Sequence, residues 1–306
     1  MLGIIIINFN KYEKTVDCIK SIFDTVKSDY KIYLLDNCSA NKSLEILNNL
    51  YKDNPKVEII ESKENLGYAR GNNLCLKKAE KDGCDYALIS NNDIVYLENA
   101  VEILLDVIKS GEYLLVGPCS YSPDGRMQTS VKKNKPTFSE YMKFSTYLTN
   151  LVPRKQKVEF FTNLQPMRFS QVYWISGSSF IADMKKFKEI GYFDPYTFLY
   201  FEEYIISEKA VKSGMKIAYE PKAQVIHYHG ASTGGAANLF TRIENFKSEC
   251  YMFAKYQKLP YHKLRSIRNI RCLEVLFSFI KERKIKDAIT FVKQSKKILK
   301  QAKEFY

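Results

Sequence analysis

Two kinds of hydrophobic spacing alternate along the first third of the chain. Short, near-continuous apolar runs occur in "GIIIINF", "KIYLLDN", "VEIIES" and "YALISNND". Between them, "KTVDCIKSIFDTV" places Val16, Ile19, Ile22, Phe23 and Val26 at helical spacing. "SLEILNNLYK" and "ARGNNLCLKKAEKDG" read as two more helices, the latter ending at Gly83. Continuous apolar runs are what strands buried on both faces require, and helices between them supply the covering layers. The pattern predicts an α/β fold with a mostly parallel central sheet flanked by helices. Such sheets bind ligands outside the carboxyl ends of their strands. The polar residues at those ends are therefore candidates: Asn8 and Asn10, Asp36 and Asn37, Glu61, then Asn91, Asn92 and Asp93.

The pattern weakens from about residue 120 to 170. "SPDG" is a turn signal, and "FSEYMKFSTYLTNLVPRK" reads as an aromatic, basic and helical insertion that lines a cleft or forms a surface excursion. Strand signals return in "VYWISGSSFIAD", "KIAYEP" and "AQVIHYHG". Past Gly234 and Gly235 the chain changes character. Residues 239–306 read as basic helices, with Leu273, Phe277 and Ile280, then Ile285, Ile289 and Val292, at helical spacing. A body of residues 1–238 and a helical basic extension of 239–306 are expected.

Charge sharpens that division. Of a net +13, residues 241–306 carry +11 and residues 1–240 only +2. A near-neutral body with a basic tail points to an anionic partner for the tail. With 45% hydrophobic and 26% charged residues over 306, the chain is globular. No apolar run approaches the roughly 20 residues that cross a bilayer. "MLGIIIINFN" reads as a buried strand and not a signal peptide, so a cytoplasmic protein is expected. Seven cysteines, odd in number and without a C-x-x-C pair, argue for free thiols over disulfides or zinc.

Several short stretches could carry chemistry. In "ISNNDI", Asp93 at a strand end can ligate a divalent cation, and Asn91 and Asn92 can hydrogen-bond a ribose or diphosphate. The same residues also make a good turn. In "LLDNCSANKS", Asp36 can accept the imide N–H of a pyrimidine base; the competing reading is capping of the next helix by Ser39 or Asn41. "ENLGYARGNN" offers Asn65, Gly67 for close backbone approach and Arg70 for a phosphate. It is neither a dinucleotide fingerprint nor a Walker A loop. "FLYFEEYIISEKAVKSG" sets Glu202 beside Glu203 at a helix start. Acids there favour the helix macrodipole, or they are an acid–base centre.

The order "IIIINFN", "LLDNCS", "ENLGYARGNN", "LISNND", "WISGSSFIAD", "IGYFDPYTFLYFEE", "VIHYHGAST" resembles the family 2 glycosyltransferases, inverting enzymes of the Rossmann-like GT-A fold. The likeness is greatest to the rhamnosyltransferase-type, capsule and cell-wall polysaccharide branch, and it covers roughly residues 2–235. It implies a nucleotide-binding half, 1–118, and an acceptor-binding half, 119–238. Asp36 would read the base, helped by the backbone at Phe9 and Asn10; Asn65, Gly67 and Arg70 would form the loop over the nucleotide. Asp93 would ligate Mn²⁺ or Mg²⁺, with His227 completing the shell. Trp174, Gly177 and Ser178 would lie beneath the sugar and acceptor, near Glu202. Glu203 would be the general base.

Three positions depart from the family pattern. The base is Glu where Asp is usual, a further acid is replaced by Ile205, and the first acid of the D-x-D region is Asn91. His229, two residues past His227, is either a neighbour of the phosphate or a structural histidine. The expected partners are a UDP-hexose or dTDP-rhamnose donor and a glycan or polyprenyl-diphosphate-linked acceptor. The tail is expected either on an anionic membrane surface, at the inner face of the cell membrane, or packed on the body or on another subunit; no nucleic-acid motif accompanies its charge. A nucleotidyltransferase is disfavoured by "NFNKYEKT" after the first strand, where a glycine-rich loop would stand. A non-catalytic relative that binds a sugar nucleotide or glycan and organises a complex is the competing class.

Overall fold

The computed structural model describes residues 1–157, 160, 167–228 and 238–306. Four parallel strands, β1 (Leu2–Asn8), β2 (Tyr30–Asp36), β3 (Val57–Glu61) and β4 (Tyr86–Asn91), lie in the order β3-β2-β1-β4. Helices α1 (Tyr12–Thr25), α2 (Ser43–Tyr51) and α3 (Gly67–Lys81) make the crossovers. Ile4, Ile5 and Ile6 are fully buried because both faces of β1 are covered. Ile4 and Ile6 join a core with Ile19, Ile22, Leu34 and Leu104, and Ile5 joins the opposite core with Leu35, Leu76 and Phe180. That is the two-residue period of a strand between two layers. The register sets Asn8 beside Asp36, Asp36 beside Glu61 and Ile7 beside Asn91. The polar strand ends thus form one edge.

The second half makes the sheet mixed. The chain runs through β5 (Ile94–Tyr96), α4 (Ala100–Ile108), β6 (Tyr113–Tyr121), β7 (Val131–Lys132), α5 (Phe138–Phe144), β8 (Ser170–Val172), β9 (Trp174–Ile175), β10 (Ser179–Asp183), α6 (Met184–Glu189), α7 (Glu202–Lys212) and β11 (Lys216–His227). Strand order continues β4-β10-β6-β11-β5, and β10 is antiparallel to both neighbours. "VYWISGSSFIAD" is not one strand. Its Ser176–Ser178 turn sends β9 to pair with β7 and β10 into the main sheet. "KIAYEP" and "AQVIHYHG" are the reverse case: they merge into β11, whose register slips between Glu220 and Gln224. That slip accommodates Pro221, which has no N–H for the ladder. The insertion after residue 137 begins with α5, capped by reciprocal bonds between Thr137 and Glu140.

The C-terminal helices α8 (Leu239–Tyr251), α9 (Tyr261–Lys281) and α10 (Ile285–Gln301) pack on the body. Phe246, Tyr251, Leu264, Phe279 and Phe291 share one core with Tyr141, Trp174, Phe201, Tyr204 and Ile205. Within it the fully buried Glu249 is neutralised by Arg271, Nη2 to Oε1 3.0 Å. Arg271 also reaches Glu274 at 2.7 Å. Of the apolar stripes read from the sequence, only Val292 packs here, partly buried against this core. Leu273, Phe277, Ile280, Ile285 and Ile289 are exposed, while Val275, Phe279, Ala288, Phe291 and Ile298 are buried. No helix among the described residues is long and apolar enough to cross a membrane, and all seven cysteines are free.

Phe279 and Phe277, two residues apart, test this packing. Phe279→Ala should cost about 3–5 kcal/mol of unfolding free energy. Phe277→Ala should change it by no more than about 0.5 kcal/mol. Denaturant unfolding of both variants checks the pair; equal losses would refute the orientation of α9.

Candidate active site

A cavity of about 300 Å³ opens at the carboxyl edge, lined by Phe9, Asn37, Asn65, Gly67, Tyr68, Asn91, Asn92 and Phe198, among others. Its framework is a buried polar network. Asn8 donates to Asp36 Oδ2 at 2.8 Å and accepts from Thr15 Oγ1 at 2.8 Å. Ser39 adds its N–H to Asp36 Oδ1 at 2.9 Å and its hydroxyl to Oδ2 at 2.7 Å. Asp36 therefore holds the turn after β2, and its carboxylate is 1% exposed. The residue that reaches the cavity from this turn is the next one, Asn37, which donates to Asn65 Oδ1 at 3.0 Å and accepts from the Leu66 N–H at 2.8 Å. Asn10, in left-handed backbone, ties the same turn to the β1 end, accepting from the Ala40 N–H at 2.7 Å.

Gly67 has a φ of +71°, and a Cβ there would lie 2.5 Å from the Phe198 carbonyl oxygen. Only glycine permits this approach, and the next N–H, of Tyr68, donates to that oxygen at 2.8 Å. Arg70 is placed elsewhere. It is half-exposed and pairs with Glu64 at 2.6 Å, and it does not line the cavity.

Asn91 and Asn92 end β4 at the cavity wall, where the Asn91 N–H donates to the Ser178 carbonyl at 2.8 Å. Asp93 and His227 meet beside them, across the pairing of β5 with β11. Asp93 Oδ1 and His227 Nε2 are 3.3 Å apart, with side chains only 6% and 7% exposed. Asp93 Oδ1 is buried without a hydrogen-bond partner among the described residues. An orphaned carboxylate oxygen next to an imidazole nitrogen suits a divalent cation whose remaining ligands come from a diphosphate. Among the described residues no three metal-ligating side chains converge, and these two groups are the ones they offer to such a shell. His229 lies outside the described residues.

On the other side, Tyr200 and Phe201 hold left-handed backbone, φ +72° and +67°, and deliver Glu202 and Glu203 at the start of α7. Glu202 is 4% exposed, and its Oε1 has no hydrogen-bond partner among the described residues. Burial pushes the Glu202 carboxyl up to about 8, and the charge of Glu203 adds to the shift. Burial also raises Glu203, opposed by the ammonium of Lys132. Burial in turn lowers Lys132 to about 8, against the pull of Glu203. Lys132 donates to the Tyr204 hydroxyl and lies 5.1 Å from the Trp174 ring centroid.

Gly177 joins the two sides. A Cβ on it would stand 3.7 Å from both Glu203 Oε2 and Tyr68 Oη, and Tyr68 donates its hydroxyl to the Gly177 carbonyl. Ser178 shares a hydroxyl bond of 2.9 Å with Ser176. Trp174 is buried against Tyr204, its Nε1 unpartnered among the described residues. Sequence reasoning missed Lys132, Tyr68, Phe198 and Phe240. Tyr68 stands inside the "ENLGYARGNN" stretch, but nothing local distinguishes Lys132 from the chain's other lysines.

Known proteins resemble this chain in sequence and in fold. Over 214 residues the chain is 25% identical to the N-acetylglucosaminyl-diphospho-decaprenol L-rhamnosyltransferase of Mycobacterium tuberculosis, covering 66% of this chain and 68% of that protein. It is 22% identical to the low-salt glycan biosynthesis hexosyltransferase Agl10 of Haloferax volcanii, covering 74% of this chain and 66% of that one. Among solved structures, GalNAc-T7 with UDP, GalNAc and Mn²⁺ superposes with a TM-score of 0.61 at 16% identity, covering 89% of this chain and about half, 53%, of that one. The Pyrobaculum calidifontis mannosyltransferase PcManGT with GDP-Man and Mn²⁺ gives 0.56 at 11%, covering 98% and 85%. These structures show the shared GT-A fold. The model of the family described as Glycosyl transferase family 2 matches residues 3–205, and the chain belongs to that family.

Proposed function

We propose that the protein transfers a sugar from a UDP- or dTDP-linked donor to a glycan or lipid-diphosphate-linked saccharide, inverting the anomeric centre. The observation that carries this reading is Glu203. It is half-buried, its carboxyl is raised by burial, and across Gly177 it faces Tyr68, which lines the cavity of about 300 Å³. The donor kind is supported by UDP, UDP-GlcNAc and GDP-Man in the structural neighbours, and the acceptor kind by the name of the mycobacterial relative.

In this reading Phe9 and Phe198 give the nucleotide apolar walls, and Asn37, Asn65, Asn91 and Asn92 give it neutral amides. Asp93 and His227 would hold a divalent cation. When bound, that cation offsets the charge of the departing nucleoside diphosphate. Glu203 accepts the acceptor hydroxyl's proton as that oxygen bonds to the anomeric carbon. The bond from that carbon to the diphosphate oxygen breaks on the opposite face, so one base suffices. Glu202, kept protonated near neutral pH, offers a donor and not a second negative charge.

Release of nucleoside diphosphate from a panel of UDP- and dTDP-sugars, with acceptor, tests the reading. One donor should support release that chelator removes and Mn²⁺ or Mg²⁺ restores. Asp93→Asn should raise the metal concentration needed for half-maximal rate. Binding of a donor without release, in the presence of acceptor and metal, would favour the non-catalytic class.

Glu203→Gln should lower the rate by about 10²–10⁴ with donor affinity retained. Because the base works deprotonated and its folded pKa is raised, the rate should climb as pH rises through that pKa, above the ordinary carboxylate value of 4.5. Lys132→Met removes the opposing cation, so the acid limb of the pH–rate profile should move to higher pH. An unmoved limb would separate Lys132 from the base.

A further inference from the structure

Helices α9 and α10 are apolar on two faces each. The inner faces, with Val275, Phe279, Phe291 and Ile298, pack in the C-terminal core. The outer faces carry Leu273, Phe277 and Ile280 on α9, then Ile285 and Ile289 on α10. The spacings are four and three residues, then four, so each set lies on one side of its helix. The two sets flank the hairpin turn, residues 282–284, where Arg283 turns the chain with a φ of +60°. Phe277 is 68% exposed and Ile285 60%. A helix that buries one apolar stripe and exposes another is built for a second environment.

The charge around this tip identifies that environment. Lys281, Arg283, Lys284 and Lys286 are all exposed, against two acids: Glu282, which Lys284 engages at 2.8 Å, and the half-buried Asp287. Further along the outer side of α10 come Lys293, Lys296, Lys297 and Lys300, all exposed. Apolar anchors surrounded by lysine and arginine match the boundary of an anionic bilayer, where acyl chains take the anchors and headgroups the cations. A second copy of the chain would bring like charges together at the same tip, which disfavours self-association through this face.

We propose that the α9–α10 hairpin tip is a docking site for an anionic membrane surface. Helix α8 links the hairpin to the candidate active-site cavity. Arg242 donates to the Ser278 hydroxyl at 2.9 Å, and its neighbour Thr241 lines both the nucleotide cavity and a second cavity of about 350 Å³ with Tyr200, Arg271 and Phe291. The docking itself needs neither donor nor acceptor, so it stands or falls apart from the transfer reaction.

The test is flotation of the full chain with vesicles of phosphatidylcholine alone or mixed with phosphatidylglycerol, at low and high salt. The protein should float with the anionic vesicles only, and high salt should weaken the binding. The triple variant Lys281→Ala, Lys284→Ala, Lys286→Ala should bind at least about tenfold more weakly. Phe277→Gln with Ile280→Gln should lose the binding that survives salt, while its melting temperature stays that of the parent because both side chains are exposed. Absence of binding to anionic vesicles at low salt would overturn the proposal. So would parental binding by both variants. A change confined to oligomeric state, seen by sedimentation velocity in the Phe277/Ile280 variant, would reassign the face to contacts between copies.

Discussion

The candidate active site depends on one strained turn. Tyr200 and Phe201 both hold left-handed backbone, which costs a residue with a Cβ about 1–2 kcal/mol. Such a turn persists only where its surroundings over-determine it. Here Phe201, Tyr204 and Ile205 are buried with the C-terminal helices, and Ser248 of α8 donates to the Leu199 carbonyl at 2.9 Å. From the other side, Gly67 lets the Tyr68 N–H reach the Phe198 carbonyl. The turn is thus clamped between the nucleotide loop and the basic extension. The extension is part of what aims Glu202 and Glu203.

That clamp also separates the two acids electrostatically. Adjacent carboxylates cannot both be charged cheaply in a site with little water. Glu202 points into a buried space with an unpartnered oxygen and is raised to about 8. Glu203 keeps partial exposure and has Lys132 beside it. Lys132 arrives on β7, held by its pairing with β9, where it stands opposite Trp174. The same short ribbon therefore brings the aromatic floor and the cation to the acid. Across the sheet, Asp93 and His227 are joined by the antiparallel pairing of β5 and β11, far apart in sequence but fixed by register.

The N-terminal half was legible because its signals are local. Ile4–Ile6 and Leu34–Leu35 are buried on both faces, and runs of that kind announce themselves as strands. The polar strand ends followed from the same reading, and the edge they form carries the cavity. Other parts were hidden by long-range choices. Nothing local in "VYWISGSSFIAD" says that its two ends join different sheets. The outer stripe of α9 is as periodic as the inner one, and only the tertiary packing decides that Phe279 is buried and Phe277 is not. Asp36 and Arg70 carry the residue types that a nucleotide site needs. Their hydrogen bonds to Ser39 and Glu64 were not visible in the spacing.

A single displacement at the anomeric carbon, with Glu203 as the base, leaves its mark on the configuration of the product. Proton NMR of the transferred sugar, taken before any equilibration and compared with the donor, reads it without reference to the rate. Inversion is expected from the parent protein, and again in whatever slow transfer Glu203→Gln retains. Retention of configuration would rule the single displacement out, because retention requires a second displacement and a nucleophile to carry it.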